Sequence, residues 1–169
     1  MKVYATAAAI ILVIAMLSAC DAQSTGTTRP QAAASDKFTP ADVAKLKWLE
    51  GTWRGMDGDK PFFERYSLDG TTLVVETLED GSLSKVTDTS RFELKDGQFG
   101  RTEGNRRSAA SEITDTFVQF VPVSGGGNSF RFQHQPDGTW NAILEWPASA
   151  NRAAGSKTYH MEPWPKPAK

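Results

Sequence analysis

The chain of 169 residues has one cysteine, Cys20, and two histidines, His134 and His160. A single thiol has no intramolecular partner, so no disulfide can staple the fold and an apolar core must hold it. No cysteine pair, no His-Glu-x-x-His segment and no histidine pair near a carboxylate is present, which leaves no zinc-type spacing. Charge excess is lacking too: 19 Lys and Arg stand against 20 Asp and Glu, a formal −1. Without a basic surplus to neutralise phosphates, nucleic acid is excluded as a partner. There is no Gly-x-Ser-x-Gly elbow for a nucleophilic serine. Ser124-Gly-Gly-Gly-Asn128 has glycines but neither the Lys-Ser/Thr nor the following helix of a phosphate loop, and reads as a turn. Glu64, Glu76 and Glu145 fall in strand-like segments, yet nothing in their spacing joins two of them for acid–base work. The chain is therefore not read as an enzyme.

What is present begins at the N-terminus. Lys2 precedes an apolar run over residues 3–17, followed by Leu17-Ser-Ala-Cys20. A basic start, an apolar stretch and small residues before a break describe a secretory signal. A transmembrane anchor is the competing reading, although the run is short of the ~20 residues a bilayer span needs. Leu17-Ser-Ala-Cys20 resembles the lipobox of bacterial lipoproteins, in which the thiol is lipidated and the cysteine becomes the new N-terminus. A free buried or reactive thiol is the competing reading of Cys20. The resemblance implies a signal peptide over residues 1–19 and a membrane anchor of acyl chains, such as palmitate, on Cys20. More than one chain is required for stable anchoring. It also implies a place in the bacterial cell envelope, facing the periplasm. Asp21 resembles the inner-membrane retention signal of enterobacterial lipoproteins and favours that membrane. Loss of residues 1–19, which carry Lys2 and no acid, would leave 18 basic against 20 acidic residues, a formal −2.

Residues 21–37 contain no large apolar side chain and cannot offset their chain entropy by burial. With Cys20 they read as a flexible tether, residues 20–37, leaving 38–169 as one domain of ordinary size. Thr39-Pro-Ala-Asp42 is a helix start, with a capping hydroxyl, proline at the first helical position and an acid in the first turn. Val43, Leu46 and Trp48 or Leu49 recur at helical spacing, and Gly51 ends the segment, which predicts one helix from Pro40 to about Leu49.

Everything after Gly51 reads as strands. Asp-Gly pairs at 57–58, 69–70, 80–81, 96–97 and 137–138 favour tight hairpin turns. Between them, segments 53–56, 62–68, 71–78, 83–94, 98–103, 113–123, 130–135, 139–146 and 156–161 predict about nine strands. The absence of a second helical pattern excludes a parallel βαβ sheet. Short connections favour an all-β, antiparallel up-and-down barrel over a sandwich, which needs longer crossovers.

Trp48-Leu49-x-Gly51-x-Trp53-x-Gly55 resembles the entry into the first strand of lipocalin-like and nitrobindin-like barrels. There a Gly-x-Trp pair enters the strand and the tryptophan closes the barrel's base. The resemblance implies that Trp48, Gly51 and Trp53 close this barrel. It departs from the nitrobindin-like pattern after Trp53, where Arg54-Gly-Met-Asp-Gly-Asp lacks the tyrosine-proline pair. The haem of that family is not carried over, and no cofactor is expected.

Alternation puts Phe130, Phe132 and His134 on one strand face, and Trp140, Ala142, Leu144 and Trp146 on another. If these faces line the barrel, Phe130, Phe132, His134, Leu144 and Trp146 are candidates to touch a ligand. A strand-end histidine satisfied by a neighbour, and tryptophans serving as core filler, are the competing readings. His160 occupies the last strand, where a nitrobindin-like barrel would hold its haem ligand, but it shares a face with Thr158 and Glu162, which points it to solvent. Arg101-Thr-Glu-Gly-Asn-Arg-Arg107 reads as a basic loop. The expected function is a membrane-anchored envelope lipoprotein holding a small apolar or amphipathic ligand in its lumen. The alternatives are a non-catalytic interaction protein working through loops such as 101–112, and a haem protein. Oligomeric state is left open.

Overall fold

The computed structural model describes residues 37–165. The expected signal peptide, Cys20, Asp21 and residues 20–36 of the expected tether lie outside the described residues.

The described chain is all-β apart from one short helical segment. Ten strands run β1 (Gly51–Asp57), β2 (Lys60–Asp69), β3 (Thr72–Leu78), β4 (Val86–Lys95), β5 (Gln98–Glu103), β6 (Arg106–Ile113), β7 (Phe117–Ser124), β8 (Ser129–His134), β9 (Trp140–Trp146) and β10 (Gly155–Pro163). Each is antiparallel to the next, and β10 returns to β1 through Trp53↔Pro163 and Arg54↔Glu162, closing a barrel. Closure removes sheet edges, as the up-and-down reading required. The architecture is compatible with a lipocalin-like fold.

The tenth strand is one that propensity hides. β6, Arg-Arg-Ser-Ala-Ala-Ser-Glu-Ile, holds one β-branched residue and no alternation. Its pairing with β7 slips twice: Ser111 is left unmatched between Ala110↔Phe120 and Glu112↔Gln119, and Val123 between Ser108↔Pro122 and Arg107↔Ser124. The bulge at Ser111 breaks the period of two, so Ala110 and Ile113, three residues apart, both join the core. Pro122, which cannot donate to a ladder, sits beside the bulge at Val123. The expected strand 83–94 also starts later, at Val86, because Leu83 lies in the 79–85 connection with φ 62°.

Three of the Asp-Gly pairs sit at two-residue hairpins, between Asp57↔Lys60, Asp69↔Thr72 and Lys95↔Gln98. At the last, Asp96 and Gly97 take φ 53° and 79°, the paired positive angles of a type I′ turn. Gly104-Asn105 makes a further hairpin between Glu103 and Arg106, inside the stretch read as a loop.

The helical segment starts as expected: Thr39 and Asp42 form a reciprocal capping box, with Thr39 N–H donating to Asp42 Oδ2 at 2.9 Å. Only Pro40–Ala44 is α-helical; Lys45–Leu49 is a 3₁₀ helix. The cause lies in the spacing. Val43, Leu46 and Leu49 are fully buried and three residues apart, a period that stays on one line only at three residues per turn. This apolar line stoppers one end of the barrel. Gly51 follows at φ 135°, a backbone conformation that side chains resist, and turns the chain into β1.

A second apolar contact lies outside the barrel wall. Phe63 and Leu78 are buried on the outer face, and Trp164 packs on Phe63 with ring centroids 5.4 Å apart. Trp164 is tied down by its backbone N–H to Thr52 O at 2.8 Å and its indole N–H to Gly81 O at 3.1 Å.

Candidate functional site

The closed end is an aromatic plug. Trp53 meets Trp140 edge-on at 5.9 Å and donates its indole N–H to Leu49 O at 2.8 Å. Trp140, fully buried, also contacts Tyr66 at 5.3 Å and Phe132 at 5.1 Å. His134 belongs to this plug. Its ring stacks on Trp48 at 5.2 Å, tilted by 21°, and its backbone N–H donates to Thr116 O. Strand alternation did aim it inward, but at the end of β8 that the 3₁₀ segment fills, so His134 is not among the residues bordering the lumen cavity.

Above the plug lies a cavity of about 180 Å³. Phe130, Phe132 and Leu144 border it, together with Phe62, Phe92 and Tyr159. Trp146 does not. It packs against the β9–β10 connection, with its indole N–H donating to Ala153 O at 3.2 Å and the Arg152 guanidinium 4.9 Å from its ring. His160 is exposed on the outer wall, with Nδ1 3.1 Å from Asn141 Oδ1. Among the described residues no group of three or more His, Cys, Asp or Glu side chains is placed to hold a metal ion.

Polar groups reach the same cavity from β2, β4 and β5: Glu64 and Tyr66, Asp88 and Ser90, and Arg101. Tyr66 donates its hydroxyl to Glu64 Oε2 at 2.7 Å. Glu64 is partly buried and borders the cavity, where its carboxyl meets the Tyr66 hydroxyl. Burial pushes its pKa up, opposed by the Tyr66 hydrogen bond and the Arg101 charge. Burial, reinforced by the Glu64 charge, pushes the Tyr66 phenol well above its ordinary value. The Arg101 guanidinium lies 5.5 Å from the Phe92 ring centre and 5.9 Å from that of Phe130. It donates to Ser90 Oγ at 3.2 Å and lies 3.4 Å from Glu103 Oε2.

The wall is interrupted beside Arg101. β4 and β5 pair at only three positions, ending with Glu93↔Gly100. Beyond it the start of β4 and the end of β5 diverge, and a polar cleft of about 380 Å³ lies between them. Asp88, Ser90 and Arg101 border both cleft and cavity. The residues read as a basic loop, 101–107, are therefore β5, a hairpin and the start of β6, with Arg101 on the inner face.

Glu64, Tyr66 and Arg101 are the site residues that sequence reasoning missed. In Phe62-Phe63-Glu64-Arg65-Tyr66 the two adjacent phenylalanines fit either face, so alternation alone does not decide which one points in. A usable signal was the opposite-charge pair across the hairpin. Arg65 and Glu76 are partners in register and bond at 3.0 Å on the outer face, which turns Glu64 inward.

Comparison of the chain with protein-family models, with curated proteins and with solved structures finds no match.

Proposed function

We propose that the protein is an envelope lipoprotein, anchored through lipid on Cys20, whose barrel domain binds a small apolar or amphipathic molecule in its lumen without transforming it. The observation that carries this reading is the aromatic cavity above the plug, with its few inward polar groups; binding sites for small molecules have that composition. Its volume limits the ligand. A cavity of about 150 Å³ accommodates benzene, so a cavity of about 180 Å³ suits a single ring or a short chain. The cleft between β4 and β5 supplies a side entrance. The haem alternative loses support, since neither His134 nor His160 borders the cavity.

Native mass spectrometry of gently purified protein, with tryptophan fluorescence titrations of single-ring and short-chain compounds, tests the binding role. A bound mass or a saturable change that Leu144→Trp abolishes supports it. A strictly empty protein insensitive to every such compound refutes it. The anchor is tested separately: labelled palmitate should enter the wild-type chain and not the Cys20→Ala chain.

A further inference from the structure

We infer that the lumen ligand is a small organic cation, an amine carried on a single ring or short apolar chain, with Glu64 as its counter-ion. The inference rests on the lumen-binding reading and specifies its chemistry. Among the described residues three charged side chains border the cavity: Glu64, Asp88 and Arg101. Arg101 already has a carboxylate beside it, Glu103, which borders the outer cleft and not the cavity. Among the described residues Glu64 has no cation within ion-pair distance and its one hydrogen-bond partner is the neutral Tyr66 hydroxyl, while the Arg101 charge acts on it from farther away. A partly buried carboxylate with a hydroxyl on one oxygen and no ion-pair partner of its own is costly, and a group of this kind lining a cavity is a candidate functional residue.

An ammonium entering the cavity completes this arrangement. It supplies the direct ion-pair partner that the more distant Arg101 does not and donates to the second carboxylate oxygen, a charge-assisted bond in a low-dielectric site. The rings of Phe62, Tyr66 and Phe92 border the same space, and aromatic faces favour cations. The ligand's apolar part then lies against Phe130, Phe132 and Leu144. Tyr66, bonded to Glu64 Oε2, orients the carboxyl and leaves Oε1 for the ligand. An anionic ligand would meet two carboxyls in the lumen for one guanidinium.

The test is a calorimetric titration of the full lipidated chain in detergent with three probes of matched size: 2-phenylethylamine, 2-phenylethanol and phenylacetate. The wild-type protein should bind the amine about tenfold or more tighter than the alcohol, and phenylacetate weakest. Glu64→Gln, nearly isosteric, should erase the amine's advantage and leave the alcohol's affinity within about threefold. Equal binding of amine and alcohol to wild type, or a preference for phenylacetate, overturns the cation assignment while leaving the lumen a binding site. An amine preference that survives Glu64→Gln overturns the role of Glu64. Failure of all three probes overturns this inference and counts against the lumen reading itself. The comparison of probes in the wild-type chain decides the ligand class even if the variant fails to fold.

Discussion

Replacing Trp53 by alanine separates an architectural tryptophan from a ligand-contacting one. The indole is 6% exposed, meets Trp140 edge-on at 5.9 Å and donates to Leu49 O at 2.8 Å. Truncating a large buried aromatic costs roughly 3–5 kcal/mol through lost transfer energy and the cavity left behind. An edge-to-face aromatic pair contributes about 0.5–1.5 kcal/mol beyond area. A carbonyl deprived of its donor adds about 1 kcal/mol or more when water cannot replace it. The neighbours Leu46 and Leu49 belong to a short 3₁₀ segment that can settle inward, which recovers some of the loss. The expected destabilisation is therefore about 4–5 kcal/mol, the upper half of the range for such truncations. Urea denaturation followed by far-ultraviolet circular dichroism measures it. The midpoint should fall at unchanged slope, and the melting temperature should drop by roughly 10–20 °C for a domain of this size. Trp146→Ala serves as the contrast. Its indole packs on Arg152 and a loop carbonyl outside the core, so about 1 kcal/mol or less is expected. If Trp53→Ala melts within about 1 kcal/mol of wild type, the plug does not depend on this residue and the reading of the closed end is wrong.

Leu46→Ala should cost about 2–5 kcal/mol, measured the same way, because the side chain is fully buried at the centre of the apolar line. Thr39→Ala removes the capping box and should cost about 1 kcal/mol; a loss below about 0.3 kcal/mol would show that the cap is dispensable. Glu64 predicts a pH dependence of defined sign. Its folded-state pKa is raised by burial, so the native protein binds more protons than the unfolded chain. Stability should then fall as pH rises from the ordinary glutamate range through the raised folded value. In Glu64→Gln that fall should be reduced, and identical urea midpoints against pH in both proteins would refute the assignment. Widening the side entrance with Arg101→Ala should speed dissociation of a bound probe in stopped-flow fluorescence; an unchanged off-rate would place the entrance elsewhere.

The barrel was legible because its punctuation is chemical. Asp-Gly pairs report positive backbone angles whatever surrounds them, and three of them stand at two-residue hairpins. Thr39-Pro40-Ala-Asp42 likewise encodes its cap locally. β6 was not legible, since it holds one β-branched residue and the bulge at Ser111 breaks the alternation on which strand reading depends. The change from α to 3₁₀ at Lys45 was within reach, as a three-residue period separates Val43, Leu46 and Leu49. The cavity was half legible. Alternation places Phe130, Phe132 and Leu144 on inner faces, but it gives no height along the barrel axis. His134 and Trp146 therefore share faces with cavity residues while lying outside the cavity, one in the plug and one under a loop. Glu64 stayed hidden because its meaning depends on Arg65 pairing with Glu76, a contact between strands rather than within one.

Two departures from an ideal barrel coincide in space, and each makes the other intelligible. The β4–β5 ladder stops after three positions, which forfeits backbone hydrogen bonds that a closed wall would make. The partly buried carboxyl of Glu64 forfeits solvation that an apolar side chain would never need. Arg101 stands between them, bonded to Ser90 across the gap and charged toward Glu64 within. A barrel selected only for stability would zip the ladder and replace Glu64 with leucine, as the plug end does with Leu46, Leu49 and Trp140. Departures from folding rules that meet at one place are where function is expected. The same reasoning makes Glu64→Leu informative: if it stabilises the barrel while abolishing amine binding, the carboxyl is retained for its ligand and not for the fold.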